Sequence, residues 1–337
     1  MIQAVALFCM FGFGVVITCL GALKLPLSRR LGIDNARFGG LISTLMLTSA
    51  VVVLVIGPVV DWAGHKSVTI FGLAAAASGI LTVSLSRRYA HAFAGSVLLG
   101  VGGITLCTAS STLFPVVFFG GANPPAASNL GNSFFGAGAF LAAFVAGAFQ
   151  KRKEGAHTCG TGVVLALLVL AGIVPALLAS YPPANPSGYD FARALSLVVH
   201  PVVITAALTF FMCTGIENTL GNWISTYFAE LGFSDRTANM LLSLFWVCFA
   251  VSRLAASAAV SMELAATGAV VLSAVMILTL CAMLFNRSKA GAVALVILSA
   301  CAIAPITPTV TGLMFAKIDR SLYGSAFSIF FAIGLLG

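Results

Sequence analysis

The chain has 337 residues, of which 60% are hydrophobic and 8% are charged, and its formal net charge is +8. A water-soluble domain carries about 25% charged residues, so this composition excludes an ordinary soluble protein. Backbone in lipid must be helical or form a closed barrel. Long apolar runs without strand-like alternation fill the chain, and they predict an all-α integral membrane protein. The basic residues are scattered over the ends of these runs, which favours a lipid bilayer over nucleic acid as the partner.

Ten apolar runs are long enough to cross a bilayer, which takes about 20 helical residues. The predicted complete spans are 2–23, 38–60, 67–85, 91–117, 127–149, 159–180, 197–220, 237–257, 264–285 and 290–316. An eleventh apolar run begins near Leu322 and reaches Gly337. We therefore predict ten complete helices and a partial eleventh.

The second and third spans are joined by the turn 57–66, which places Gly57, Asp61, Gly64 and Lys66 at fixed spacing. Glycine allows two helices to reverse over few residues. A carboxylate such as Asp61 can accept backbone N–H groups at the start of a helix, so we expect Asp61 to make a polar contact with the N-terminal end of the third helix or with a neighbouring span. The pattern resembles the Gly-x-x-x-Asp-Arg-x-Gly-Arg-Lys signature of major facilitator superfamily transporters. In this sequence Trp62 and His65 replace two of the arginines of that signature.

One composition break divides the chain. Residues 181–196 are rich in proline and polar residues and predict a linker between a six-helix bundle, 1–180, and an incomplete second bundle, 197–337. The two parts share a short similarity, because Leu31–Ser43 and Leu231–Ser243 coincide in Leu, Gly, Leu and Ser at an offset of 200. This repeat predicts two pseudo-symmetric bundles, the second of them truncated.

Three further segments are similar to fucose-permease-like members of the superfamily. They are the Gly-x-Glu…Trp-x-x-x-Tyr run 215–227, the Asn-x-x-Asn run 129–139, and the segment 244–254, which contains Ser252-Arg253. The resemblance implies the major facilitator fold and transport of a small solute. The sugar–proton symporters of this group carry acidic residues in their first and fourth helices, whereas spans 2–23 and 91–117 contain neither Asp nor Glu. The resemblance thus supports the fold better than it supports proton coupling.

Glu217 is the strongest single candidate for a substrate contact. A carboxylate within a membrane span costs roughly 2.5–3.5 kcal/mol on insertion scales, so it usually faces a cavity or a partner. Asn218 and Asn222 share one face of the same helix, and Trp223 adds an aromatic surface. Amides and an aromatic ring suit the hydroxyls and the C–H face of a neutral polyol. The alternative for these asparagines, and for Asn129 and Asn132 in the fifth span, is a helix–helix contact.

The tenth span contains Pro305 and Pro308, each of which removes a backbone hydrogen bond. Two interpretations stay open: a hinge, or the ordinary tolerance of proline in membrane helices. Neighbouring threonines are expected to satisfy the freed carbonyls. The eight cysteines form no Cys-x-x-Cys pair and have no companion histidines, so neither a metal site nor a cofactor is predicted. Scattered histidines and acids also argue against an enzyme.

The predicted function is translocation of a small polar solute, with a monosaccharide as the leading substrate, by alternating access. Glu217, Asn218, Asn222, Trp223, Asn129 and Asn132 are the candidate substrate-binding residues, and H⁺ or Na⁺ is a possible coupling ion. The candidate gating residues are Gly57, Asp61, Gly64, Lys66 and Arg253. Drug or metabolite efflux and a non-transporting membrane scaffold are the alternatives. A monomer in the plasma (inner) membrane is expected.

Two rules disagree on orientation. The resemblance implies that the 57–66 turn lies in the cytoplasm. Counting basic residues puts the other face there, because pairs such as Arg29–Arg30 and Arg87–Arg88 lie on that side. We give priority to the resemblance, since packing specific to a fold can override loop charge.

Overall fold

The structure is a computed structural model, and it describes residues 1–149, 154–183 and 190–337. Part of the predicted linker, 184–189, and the basic residues Lys151, Arg152 and Lys153 lie outside the described residues. Within the described residues the secondary structure is helical, with no strand. The prediction of an all-α membrane protein is confirmed, since ten helical stretches of the described residues, two of them made of two consecutive helices, are long and apolar enough to cross a bilayer.

Fifteen α-helices follow one another in the described residues. They are α1 (Ile2–Ala22), α2 (Lys24–Leu31), α3 (Asn35–Ala63), α4 (His65–Leu85), α5 (Tyr89–Val117), α6 (Pro124–Ala148), α7 (Glu154–Leu170), α8 (Ile173–Leu178), α9 (Phe191–Ser196), α10 (Pro201–Glu230), α11 (Asp235–Ala259), α12 (Ala265–Phe285), α13 (Lys289–Ile303), α14 (Ile306–Phe315) and α15 (Tyr323–Gly334). Short 3₁₀ turns cover Phe119–Gly121, Leu197–Val199 and Arg320–Leu322.

The ten predicted spans match these helices, with two kinds of difference. The seventh span, α10, continues to Glu230 rather than ending near residue 220. The sixth span is divided into α7 and α8, and the tenth into α13 and α14. Prolines explain both divisions, because Pro175 and Pro305 have no N–H to continue the helical hydrogen bonds.

The turn between the second and third spans is shorter than predicted. Helix α3 runs through Ala63, and Gly64, with φ +78° and ψ 164°, is the one residue that separates it from α4. A positive φ suits glycine, so Gly64 acts as predicted. The expectation that Gly57 forms part of the reversal is wrong: Gly57 and Asp61 lie on α3. We call the membrane face that carries Gly64 the turn face.

The 200-residue repeat appears in the backbone geometry. Gly32 and Gly232 both take positive φ, 62° and 78°, directly after a helix. Two residues later, Asp34 accepts from the N–H of Arg37 at the start of α3, and Ser234 accepts from the N–H of Thr237 at the start of α11. The shared glycine therefore ends one helix in each half, and a different capping residue, Asp34 or Ser234, begins the next helix two residues later.

Among the described residues, a small buried apolar cluster joins α3, α4 and α5, and three larger clusters hold the helices together. One lies within the first half and includes Leu20, Leu45 and Leu99, and another lies within the second half and includes Phe228 and Phe245. The third cluster combines both halves, through residues of α1, α3 and α5 on one side and of α10, α14 and α15 on the other. This shared cluster lies near the turn face, because it contains the first turns of α1 and α15 and the last turns of α5 and α14.

Candidate functional site

A central cavity of about 220 Å³ lies between the two halves of the molecule. The first half contributes residues of α1, α3, α5 and α6, and the second half contributes residues of α10, α11, α14 and α15. Phenylalanines from both halves form much of the wall, and they are Phe13, Phe135, Phe210, Phe327, Phe330 and Phe331. The cavity is therefore mainly apolar, with a small set of polar groups, as is usual for sites that bind small molecules.

Two charged side chains line this cavity, Glu217 of α10 and Arg253 of α11. Glu217 is the one carboxylate among the described lining residues. Arg253 donates from Nε to the backbone carbonyl of Ala304 at 3.0 Å, and its guanidinium lies 4.3 Å from the ring centroid of Phe249. The structure thus places Glu217 towards the protein interior, as its cost in lipid requires. Arg253, predicted as a gating residue, lines the cavity.

The predicted asparagines divide into two groups. Asn132 and Asn218 line the cavity, together with Thr307 and Thr311. Asn132 donates from Nδ2 to the Ser128 carbonyl at 2.9 Å, which leaves its amide oxygen as an acceptor. Asn129 is fully buried between helices and donates to Thr309 Oγ1 at 2.9 Å. Asn129 therefore makes the helix–helix contact that was the alternative interpretation.

Asn222 and Trp223 do not belong to the cavity wall. Asn222 donates from Nδ2 to the carbonyl of Asn218 in its own helix at 2.8 Å, and Trp223 is 63% exposed. The indole therefore lies outside the cavity in this structure, where it cannot serve as the predicted stacking surface for a substrate. Asn222 shares the face of Asn218 but lies one turn further along α10, beyond the lining residues. For Trp223, helical spacing does not say which face points inward in a helix that is apolar all round.

The two prolines of the tenth span have identifiable backbone consequences. Pro305 and Pro308 have no N–H to offer to the carbonyls four residues earlier, which belong to Cys301 and Ala304. Ser252 Oγ donates to Cys301 O at 2.8 Å, and Arg253 Nε donates to Ala304 O at 3.0 Å. The expectation that neighbouring threonines satisfy these carbonyls is wrong, because α11 supplies both donors.

The Asp61 carboxylate joins the two halves at the turn face. It accepts three hydrogen bonds of 2.7 Å, from the N–H of Gly324, the N–H of Ser325 and the hydroxyl of Ser325. Gly324 and Ser325 lie in the first turn of α15, where backbone N–H groups have no partner within the helix. Of the two predicted partners, the structure has the neighbouring span: the carboxylate lies at the N-terminus of α15 of the other half and not at that of α4.

Helices α3 and α15 approach each other closely beside this contact. A Cβ placed on Gly57 would collide with the backbone carbonyl of Gly324, and one placed on Gly324 would collide with that of Gly57. Ser328 of α15 donates to the Val53 carbonyl of α3 at 2.7 Å. Gly57 therefore has a packing role that its place in the motif does not reveal.

Further polar contacts between the halves lie on the same side. Asn123 donates to the Val260 carbonyl at 2.8 Å, at the turn-face ends of α6 and α11. At the opposite face the contacts stay within one half: Arg30 donates to Ser84 O and Thr158 Oγ1, and Lys289 donates to Gly232 O. Among the described residues, the two halves are thus joined by hydrogen bonds on the turn-face side of the cavity.

Lys66 makes no contact of this kind in the described part of the chain. It is exposed at the start of α4, next to Gly64. Its neighbour His65 lies 3.0 Å from Thr112 Oγ1 and so connects α4 to α5. Sequence reasoning missed three contact residues: Gly324, Ser325 and Ser252. A serine or glycine in an apolar run does not indicate which residue it will contact.

Two groups of helices around a central cavity are the arrangement found in secondary membrane transporters. The family model of the Major Facilitator Superfamily matches residues 6–337, and the chain belongs to that superfamily. A comparison of the sequence with curated proteins gave no match.

Solved transporter structures share this fold. FucP, the E. coli fucose:proton symporter, in its outward conformation is 19% identical, with a TM-score of 0.80 over 99% of this chain and 89% of that chain. The proton:xylose symporter XylE, bound to 6-bromo-6-deoxy-D-glucose, is 13% identical, with a TM-score of 0.77 over 99% and 85%. The human organic anion transporter MFSD10 (TETRAN) is 14% identical, with a TM-score of 0.73 over 99% and 91%.

Proposed function

We propose that this protein moves a small polar solute, a monosaccharide in the first instance, across the membrane by alternating access. The observation that carries the proposal is the cavity between the halves, whose lining includes Glu217, Arg253, Asn132 and Asn218. Binding near the midplane, between two bundles that rock against each other, is the working principle of transporters built this way.

The polar groups of the cavity suit a polyol. Sugar hydroxyls can donate to the Glu217 carboxylate and to the amide oxygen of Asn132, and they can accept from the Arg253 guanidinium. Trp223 cannot provide the apolar surface from where it lies, and in this proposal Phe135 or the α15 phenylalanines contact the C–H face of the sugar instead. The sugar symporters among the structural neighbours support this substrate class.

Asp61 acts as the gate in this proposal. Its hydrogen bonds to Gly324 and Ser325 join the halves, and contacts made in only one conformation bias the equilibrium between conformations. With the turn face in the cytoplasm of a plasma-membrane protein, the structure corresponds to an outward-facing state. The likeness to FucP in its outward conformation supports that assignment. Lys66, exposed beside Gly64, adds positive charge at the same face.

Glu217 is the carboxylate available for ion coupling in the cavity. A coupled carrier uses it to bind H⁺ or Na⁺, whereas a facilitator uses it only as a hydrogen-bond acceptor for substrate. The proton symporters among the neighbours support coupling, and the lack of acids in the first and fourth spans supports facilitation. Glu217→Gln separates the two, because it retains hydrogen bonding but removes the charge.

A second candidate is transport of an amphipathic organic solute, including efflux of a drug or metabolite. The phenylalanine-rich wall of the cavity favours it, and so does the likeness to an organic anion transporter. Arg253 then contacts an acidic group of the substrate. The test must therefore include organic anions beside sugars.

The purified protein is reconstituted into liposomes, and uptake of radiolabelled hexoses, pentoses and organic anions is measured with and without gradients of H⁺ and Na⁺. Asn218→Ala and Asn222→Ala are a matched pair, since the two asparagines lie one turn apart on α10 but only Asn218 lines the cavity. We expect sugar uptake that Asn218→Ala weakens and Asn222→Ala preserves. Uptake of organic anions alone would select the second candidate, and no uptake of any solute would support a scaffold.

A further inference from the structure

The tenth span is broken where two backbone carbonyls lack a hydrogen-bond donor from their own helix. Two adjacent residues of α11 supply the missing donors. Ser252 donates to Cys301 O at 2.8 Å and Arg253 donates to Ala304 O at 3.0 Å. These are the carbonyls that Pro305 and Pro308 leave without an N–H. An unsatisfied backbone group within a membrane protein is costly, so the two donors compensate for the two prolines.

We propose that Ser252 and Arg253 are positioning residues that hold the break in the tenth span and thereby set the cavity wall formed by α14. The segment after the break supplies Thr307, Pro308 and Thr311 to the cavity. Their placement depends on the angle between α13 and α14. Helix α11 fixes this angle, because it supplies a donor to each of the two freed carbonyls.

Arg253 connects the break to the contents of the cavity. Its hydrogen bond within the described residues uses Nε, so the donors on its two terminal nitrogens are available to a ligand. The guanidinium is planar and rigid, so a ligand that pulls on these nitrogens also changes the bond from Nε to Ala304. This part of the inference rests on the proposed function: an acceptor oxygen of the substrate that binds Arg253 shifts the hinge at Pro305 and Pro308.

The break can revert to a helix locally, which makes the proposal testable. Ala304 and Pro305 already have right-handed helical dihedral angles, with φ and ψ of −56° and −45° and of −85° and −8°. Pro305→Ala therefore restores an N–H that can bond to Cys301 O. Pro308→Ala does the same for Ala304 O.

The experiment is a double-mutant cycle on thermal unfolding of the ligand-free protein in detergent. Ser252→Ala should lower Tm by about 1–3 °C where Pro305 is present, and it should have no effect in the Pro305→Ala background. Ser252→Thr keeps the hydroxyl and should preserve Tm. Ser257→Ala is the matched control, because the Ser257 hydroxyl bonds to Leu254 of its own helix.

The second cycle concerns Arg253 and has two readouts. Arg253→Gln should lower Tm more with Pro308 present than in the Pro308→Ala background, because the contact of the guanidinium with Phe249 is lost in both. In both backgrounds it should raise the KM for the transported solute several-fold, because the groups that contact substrate are lost in either case. If the KM of Arg253→Gln returned to that of the unmodified protein in the Pro308→Ala background, together with Tm, the substrate contact of Arg253 would be overturned.

Equal Tm losses from Ser252→Ala with Pro305 present and in the Pro305→Ala background would overturn the positioning role. Loss of Tm in Ser252→Thr equal to that in Ser252→Ala would also overturn it, and this comparison does not require Pro305→Ala to fold. Neither result depends on transport. Failure of the proposed function appears separately, as absence of uptake by the unmodified chain.

Discussion

Replacement of Asp61 by asparagine tests the gate most directly, because it changes the charge at the contact between α3 and α15 with little change in shape. The carboxylate accepts from two backbone N–H groups and one hydroxyl. An asparagine has one acceptor oxygen and one NH₂ group, so it can satisfy the N–H of Gly324 or that of Ser325, but not both. The Ser325 hydroxyl can rotate to accept from the NH₂ group.

The magnitude follows from these bonds. A hydrogen bond to a charged group contributes about 1.5–3 kcal/mol and a neutral one about 1 kcal/mol. Interhelical hydrogen bonds in membranes contribute less, about 0.6 kcal/mol on average and up to about 1.7 kcal/mol. Losing one bond and weakening two others removes about 2–3 kcal/mol from the state with the turn face closed. Since 1.36 kcal/mol is a factor of ten, the ratio of closed to open molecules should fall roughly 30- to 150-fold.

The assay is pulsed electron paramagnetic resonance between spin labels on cysteines introduced at Ser67 and Lys317, which are exposed at the turn face in different halves. The exposed Cys281 is replaced by serine beforehand. Asp61→Asn should lengthen the distance between the labels and slow uptake while the protein stays folded. Ser325→Ala, which removes only the hydroxyl, should have a smaller effect of about fivefold. A distance distribution and an uptake rate equal to those of the unmodified protein would refute the gating role of Asp61.

Three further outcomes follow from the same contacts. Glu217→Gln should lower substrate affinity modestly if the protein is a facilitator. In a cation-coupled carrier it should abolish concentrative uptake and preserve exchange. Wild-type binding and uptake would remove Glu217 from the site. Gly324→Ala should open the turn face more than Asp61→Asn does, because its Cβ collides with the Gly57 carbonyl, and unchanged distances between the same labels would contradict this. Trp223→Ala should leave substrate affinity within about twofold, since the indole lies outside the cavity, and a large rise in KM would show that the ring contacts substrate.

The number and position of the spans could be predicted because lipid imposes a length and forbids unpaired backbone groups. The repeat at Leu31 and Leu231 could likewise be predicted, since a glycine marks the end of one helix and a capping residue marks the start of the next. Trp223 shows the limit of this approach. Every face of α10 is compatible with lipid or with protein, so the sequence carries no strong periodic signal for the inner face. Only the packing of the other helices decides that Asn218 and Glu217 line the cavity.

Contacts over long sequence separation were the other limit, and Asp61 illustrates how far chemistry alone can go. A buried carboxylate near a membrane face needs donors, and a helix N-terminus is the natural source of them. The first turn of α4 was the nearest candidate along the chain. The donors come instead from Gly324 and Ser325, more than 260 residues away, because Gly57 and Gly324 let α3 and α15 come close enough.

The broken tenth span also needs donors from elsewhere in the molecule, and these donors lie on another helix. Pro305 and Pro308 fix in advance that the carbonyls of Cys301 and Ala304 need outside donors. A threonine on the broken helix is one local solution, but it would satisfy the carbonyls equally well in every conformation. Donors from α11 do so only while α11, α13 and α14 keep their present arrangement. The Asp61 bonds have the same property, because they exist only while α3 and α15 touch. Both sets of hydrogen bonds therefore stabilise one arrangement of the helices over others, which a transporter that alternates between two arrangements requires.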